Sequence, residues 1–289
     1  MNASAAPRRV ELIQVRAPNV PSFVLALETQ GDRSIAPHLR ADGVWEPAET
    51  ALCQRLLRPG MRVVDAGAHA GYYSVLFSHL VGATGGVIAF EPEPANFRML
   101  LANLLLNDCG NVEARPLALA EGRGAEFLHL CADNPGDHRL APVPGRARIE
   151  VETIDLDSAL AGAPLDFIKI DTQGAEPRIL AGMANTISVN RERLGCLMEF
   201  APGLLQLAGV SLDQYAAQLA ALDACVFAVS LRNHDLNLQR LVPLRAGLDM
   251  LVDLLAPLGE VDASCDVFAV FGAAAEAAWL ARFRQGRVG

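Results

Sequence analysis

A chain of 289 residues that is 52% hydrophobic can bury one sizeable core with additions, or two small ones. Its formal charge of −9 offers no basic footprint for neutralising phosphates, which argues against a nucleic-acid partner. No stretch gives about 18 unbroken apolar residues or a signal-peptide core, and six scattered cysteines without a C-x-x-C pair read as reduced core residues. The expectation is a soluble, cytoplasmic protein with no membrane partner.

Residues 1–43 alternate apolar runs (VELIQV, FVLALE) with turn formers such as Pro18 and Pro21, which predicts a β-rich N-terminal extension. Its apolar face could support a homodimer. In WEPAETALCQRLLRPG the residues Leu52, Leu56 and Leu57 recur at helical spacing, and Pro59-Gly60 closes the segment. From there MRVVDAG, YYSVLFSHLV, GVIAFEP, ANFRMLLANLLLN and VEARPLAL alternate strand and helix. That order predicts an α/β fold, with a mostly parallel sheet and helices on both faces. The middle reads as strand fragments with a long loop at 133–146 bordering a substrate site or simply solvated. LDFIKID, CLMEF, CVFAVS and DVFAVFG read as further strands, and AEAAWLARFRQG as a closing helix.

VVDAGAHAG, from Val63 to Gly71, places Asp65, Gly67, Ala68, His69 and Gly71 between a predicted strand and a predicted helix. The glycines permit positive φ and close backbone approach beside a helix N-terminus. Twenty residues after Gly71, Glu91 ends the next strand, followed by Pro92 and Asn96; an acid there can accept hydrogen bonds from both ribose hydroxyls of a nucleoside cofactor. Asp65 repels phosphate and suits a cation, which favours S-adenosylmethionine (SAM), with its sulfonium and ammonium, over a dinucleotide.

VVDAGAHAGYYSVLFS, IAFEPEPANFRMLLANLLLN, PLALAEG and FIKIDTQGAEPRILAGM, in that order, resemble the FkbM-type SAM-dependent methyltransferases. The resemblance covers roughly Gly43 to Met198 and makes residues 44–289 the methyltransferase domain. It implies a Rossmann-like class I methyltransferase fold, with a seven-stranded sheet whose final strand is reversed. It implies O-methylation of a hydroxyl on a sugar or natural product. By the same resemblance Asp65, Gly67 and Gly71 line the methionine part of SAM, Glu91 the ribose, and Leu117 and Ala118 the adenine. His69 departs from the asparagine often found at its position.

Methyl transfer to a hydroxyl needs in-line positioning and a base. Asp171 ends FIKI and Glu199 ends CLMEF; on neighbouring strands both reach the edge of the cofactor loops. Lys169, the chain's one lysine beside 23 arginines, shares a face with Asp171 by the period of two. It either holds that carboxylate ionised or reaches outward for water. Glu176 is a helix-start acid or a contact to substrate or metal; Asp171, Glu176 and Glu199 offer hard oxygen ligands suited to magnesium without a diagnostic spacing, and no metal is predicted. His234 is a further candidate base, with His38 and His138 in loop-like segments. Glu46 and Glu49 either close over the cofactor or start a helix. The alternatives are a nicotinamide-dependent oxidoreductase on a similar sheet and a non-catalytic SAM-binding module.

Overall fold

The computed structural model describes residues 10–28, 35–232 and 235–285; His234 and the first nine residues lie outside them. The chain opens with the antiparallel hairpin β1 (Val10–Val15) and β2 (Phe23–Glu28), then helices α1 (Ile35–Asp42) and α2 (Pro47–Leu56). The expected β-rich extension therefore also holds a helix: Ala36 and Leu39 are buried on one side of α1, which takes in His38, read above as a loop histidine.

The α/β part runs β3 (Arg62–Ala66), α3 (Tyr72–Val81), β4 (Gly86–Phe90), α4 (Pro94–Leu106) and β5 (Val112–Arg115). A small sheet follows, built of β6 (Ala118–Leu119), β7 (Gly124–His129) and β8 (Arg148–Ile154). The chain continues through α5 (Leu156–Leu160), β9 (Phe167–Ile170), α6 (Glu176–Ala181), α7 (Ala184–Val189), β10 (Gly195–Phe200), α8 (Pro202–Leu207) and α9 (Leu212–Ala221). It ends with β11 (Ala224–Arg232), β12 (Asp235–Arg240), α10 (Leu244–Leu255), β13 (Cys265–Phe271) and α11 (Ala273–Gln285).

The main sheet has the order β12-β11-β13-β10-β9-β3-β4-β5. Strands β3, β4, β5, β9 and β10 run parallel, while β13 inserts antiparallel between β10 and β11. The last strand is thus reversed, as the resemblance implies, but the sheet has eight strands rather than seven. The additional one is β12, a hairpin partner of β11 drawn from DLNLQR. Its polar residues alternate with Leu236 and Leu238, of which Leu236 is buried, and that short alternation is masked by the adjoining polar LRNHD.

Both faces of the sheet are covered, so central strands read as unbroken apolar runs. Val63 and Phe167 point into one core, where Phe167 meets Phe77 and Trp279 at 5.9 and 6.1 Å between ring centroids; Val64, Ile168 and Ile170 point into the other. The N-terminal hairpin shares the first core, which takes in Ile13, Val15 and Leu25. It docks on α4 through side-chain amides. Asn103 Oδ1 accepts from the Ala26 amide at 2.7 Å while Asn103 Nδ2 donates to the Ala26 and Ala70 carbonyls. Asn107 does the same with Val24. Each amide stands in for a missing strand partner and satisfies backbone groups that burial would otherwise leave unpaired.

Parallel strands direct their carboxyl ends to one edge, where open α/β sheets take ligands. At that edge β13 presents its N-terminal end, because it runs the other way. This reversal adds side chains from a distant part of the sequence to the same rim.

Candidate functional site

The turn after β3 is held by protein contacts. Gly67 has φ +84, and a Cβ there would lie 2.0 Å from the Asp171 carbonyl oxygen; Gly71 has φ +92, and a Cβ there would meet Leu100 Cδ1 at 2.7 Å. The close approach anticipated for these glycines is therefore to neighbouring protein, and Gly67 locks the β3 turn onto the end of β9. The amides of Gly67 and Ala68 both donate to the Phe90 carbonyl at 3.0 Å. His69 takes a left-handed backbone, φ +50, a conformation that asparagine adopts more readily.

Two clefts meet at this turn. Glu91, Pro92, Asn96, Leu117 and Ala118 line the first, with Phe90, Leu128 and Leu140 supplying apolar surface. Among the described residues, none that lines it is a lysine or arginine. Glu91 sits at the carboxyl end of β4, where Oε2 accepts from the His69 amide and Oε1 from the Glu93 amide, each at 2.8 Å. Asn96 also hydrogen-bonds this side chain, and a carboxylate with about four acceptor positions keeps room for a ligand. Burial pushes the Glu91 pKa up to about 7. The loop at 133–146 borders this cleft: Asn96 Nδ2 donates to the Pro135 carbonyl at 3.1 Å, and His138 lines the wall with Nδ1 accepting from the Cys131 amide. Burial lowers the His138 pKa.

The second cleft is lined by Glu46, Glu49, Asp65, Asp171, Glu199 and Asp266 around Lys169. Lys169 is 2% exposed. Its Nζ lies 2.7 Å from Asp171 Oδ2, 3.6 Å from Glu46 Oε2 and 4.4 Å from the centroid of the Tyr73 ring. β9 is buried along its length and the ammonium lies against these partners, which favours the reading of Lys169 as a partner of Asp171 over the outward-reaching one. Burial works to neutralise the ammonium, yet Asp171, Glu46 and Asp266 outweigh it and hold its pKa well above the usual value. Burial likewise pushes Asp171 up, but Lys169 and the amide of Gln173 prevail and keep it below the ordinary carboxylate range. Its side chain is 27% exposed and so open to the cleft.

Glu199 behaves differently from Asp171. Burial and then the charges of Asp171 and Glu176 raise its pKa well above normal, so two acids of like chemistry are shifted in opposite directions. Asp65 stands within β3, in register with Lys169, and accepts from Ser74 Oγ at 2.6 Å. Burial raises its pKa to about 6. Glu46, in a left-handed backbone before α2, accepts from Tyr73 at 2.7 Å. It belongs to the acidic cleft, away from Glu91. Glu176, the first residue of α6, accepts from the amide and hydroxyl of Thr172 in the preceding turn.

Gly67, His69, Gly136, Asp171 and Gln173 border both clefts. Gly71 borders neither. Sequence reasoning missed Tyr73, Gln173 and Asp266. Tyr73 had a signal, standing two residues after Gly71 in the first turn of α3. Asp266 had none, because its place depends on β13 pairing antiparallel with β10, where Glu199 and Asp266 are register partners. Among the described residues no group of three or more His, Cys, Asp or Glu side chains is arranged to hold a metal ion. No helix of the described residues is long and apolar enough to cross a membrane.

Comparison with known proteins bears on this geometry. Residues 65–207 match the model of the methyltransferase FkbM domain. The chain is 28% identical over 155 residues to methyltransferase sdnD of Sordaria araneosa, covering 42% of this chain and 60% of that one. It is also 28% identical over 134 residues to protein-L-isoaspartate O-methyltransferase 1 of Arabidopsis thaliana, covering 45% and 52%. The matched regions thus span little more than half of these relatives. Among solved structures, methyltransferase FkbM of Methylobacillus flagellatus aligns with a TM-score of 0.42 at 16% identity, covering 76% of this chain and 50% of that one.

Proposed function

We propose, from the premise that this chain belongs to the FkbM methyltransferases through the domain at residues 65–207, that it transfers a methyl group from SAM to a hydroxyl of a small-molecule natural product or sugar in the cytoplasm. The observation that carries this reading is the meeting of an apolar, carboxylate-ended cleft with a charged cleft at Asp171.

The donor set of the first cleft fits an adenosine. Phe90, Leu117 and Leu128 offer apolar faces for a flat base, and Glu91 offers carboxyl oxygens to the ribose hydroxyls. The carboxylates at the junction suit the positive charges of SAM, which when bound supplies an electrophilic methyl group for in-line displacement. Asp171 then takes the proton of the acceptor hydroxyl. Lys169 keeps Asp171 ionised before the acceptor arrives, and holding nucleophile and methyl group in a near-attack geometry supplies much of the acceleration.

Calorimetric titration with SAM tests the reading. Saturable binding by the wild-type protein, weakened in Glu91→Ala, is expected; no binding at millimolar SAM would overturn it. Methyl-labelled SAM incubated with extracts of the native host then identifies the acceptor through the labelled product.

A further inference from the structure

Asp171 and Glu199 end neighbouring parallel strands, β9 and β10, so two carboxyl groups face one rim of the sheet. Gln173 fills the space between them. Its Nε2 lies 3.2 Å from Asp171 Oδ1, and 3.2 and 3.0 Å from Oε1 and Oε2 of Glu199. An amide nitrogen carries two protons and accepts none. The carboxyl oxygens within reach of Nε2 therefore turn lone pairs toward it, and the amide links the two groups.

The backbone adds an independent observation. Gln173 has φ +56, a region that a residue with a Cβ enters at a cost, and Gly174 beside it has φ +100. Glycine at 173 would make the same turn without strain. The turn alone does not account for a glutamine here, whereas its amide does.

We propose that Gln173 is a positioning residue for the transfer chemistry: by donating one amide proton to each carboxyl it keeps Asp171 and Glu199 from sharing a proton and leaves Asp171 as the ionised member of the pair. Other charged groups surround the pair. Lys169 on the same strand, Glu46 and Glu49 around the start of α2, Asp65 on β3 and His69 in the glycine turn act on Asp171. Glu176 of α6, the Ser264 hydroxyl and Lys169 act on Glu199, with Asp266 opposite it on β13. The inference rests on the proposed methyl transfer only for what Asp171 does once ionised.

The test is read on the free, full-length protein. Carboxyl-¹³C aspartate and glutamate are incorporated, Asp171→Asn and Glu199→Gln assign the two resonances by their loss, and each group is titrated by NMR. In the wild type, Asp171 titrates below the ordinary carboxylate range and Glu199 well above it. In Gln173→Gly, which relaxes the backbone while removing the amide, the Asp171 midpoint rises by about one pH unit. Gln173→Asn, a shorter amide at home in the left-handed region, gives a smaller rise, and Gln173→Glu, which adds a third carboxyl, a larger one. An Asp171 midpoint within about 0.3 unit of wild type in all three variants, whatever their melting temperatures, would overturn the proposal. Failure of SAM to bind refutes the proposed function and leaves this titration standing, so the two claims fail separately.

Discussion

Lys169→Met removes the ammonium while keeping a side chain of similar length in a position only 2% exposed. What remains is Asp171, which has lost its partner at 2.7 Å, and Glu46, which has lost one at 3.6 Å. Removing one member of a buried ion pair costs about 3–5 kcal/mol, because the other charge stays behind uncompensated. For a large domain each kcal/mol moves the melting temperature by roughly 2–4 °C, so the variant should melt about 6–20 °C below wild type at pH 8. The pH dependence separates this cause from a packing defect. In the wild type Asp171 sits below its unfolded pKa, and the stability it contributes above that value is lost only on strong acidification. Without the ammonium, burial dominates and raises the Asp171 pKa, so the folded variant binds a proton more readily than the unfolded one and regains stability as pH falls through its raised pKa. Thermal melts by circular dichroism at pH 8 and 5.5 should show the deficit narrowing on acidification. A deficit under about 2 °C at pH 8, or one unchanged at pH 5.5, would refute the reasoning. Lys169→Arg retains the charge but brings a wider planar fork; it should bind SAM normally and turn over more slowly.

Glu91→Ala leaves the amides of His69 and Glu93 without their acceptor and takes away the proposed ribose contact. SAM affinity should fall by about tenfold or more by calorimetry, and undiminished affinity would displace the ribose from Glu91. Gly67→Ala places a Cβ 2.0 Å from the Asp171 carbonyl at φ +84, so chemical denaturation should show a loss of about 3 kcal/mol or more; a loss under about 1 kcal/mol would mean the two turns move apart freely. Burial raises the pKa of Glu49, Glu91 and Glu176 to about 7 and of Asp65 to about 6. Each folded value exceeds the unfolded one, so the stability these groups add is present at low pH and lost as pH rises through 6–7. Lys169, raised above its usual value, adds stability throughout that window and does not change across it. The free wild-type protein should therefore melt at a higher temperature at pH 5.5 than at pH 8, and the reverse order would contradict the raised values.

Much of this molecule is readable from local pattern. Apolar runs of four to six residues punctuated by glycine and proline place β3, β4, β9 and β10, and the β–α alternation between them dictates a parallel sheet, since parallel neighbours require crossovers. Asp65, Glu91, Asp171 and Glu199 are legible because each lies at or near the carboxyl end of a strand in that pattern, and a period of two is enough to put Lys169 beside Asp171. Local pattern is silent on long-range placement. The reversal of β13 carries Asp266 to the same rim, the fold of the chain ahead of α2 carries Glu46 to within 3.6 Å of Lys169, and the side chain of Gln173 reaches Glu199, 26 residues further along the chain. Nor does spacing say that Gly67 is required by the Asp171 carbonyl, or that Asp171 and Glu199, alike in sequence, are shifted in opposite directions. Those properties come from burial and from neighbours distant in the chain, because the energy of a charge depends on what surrounds it in space rather than on its place in the sequence.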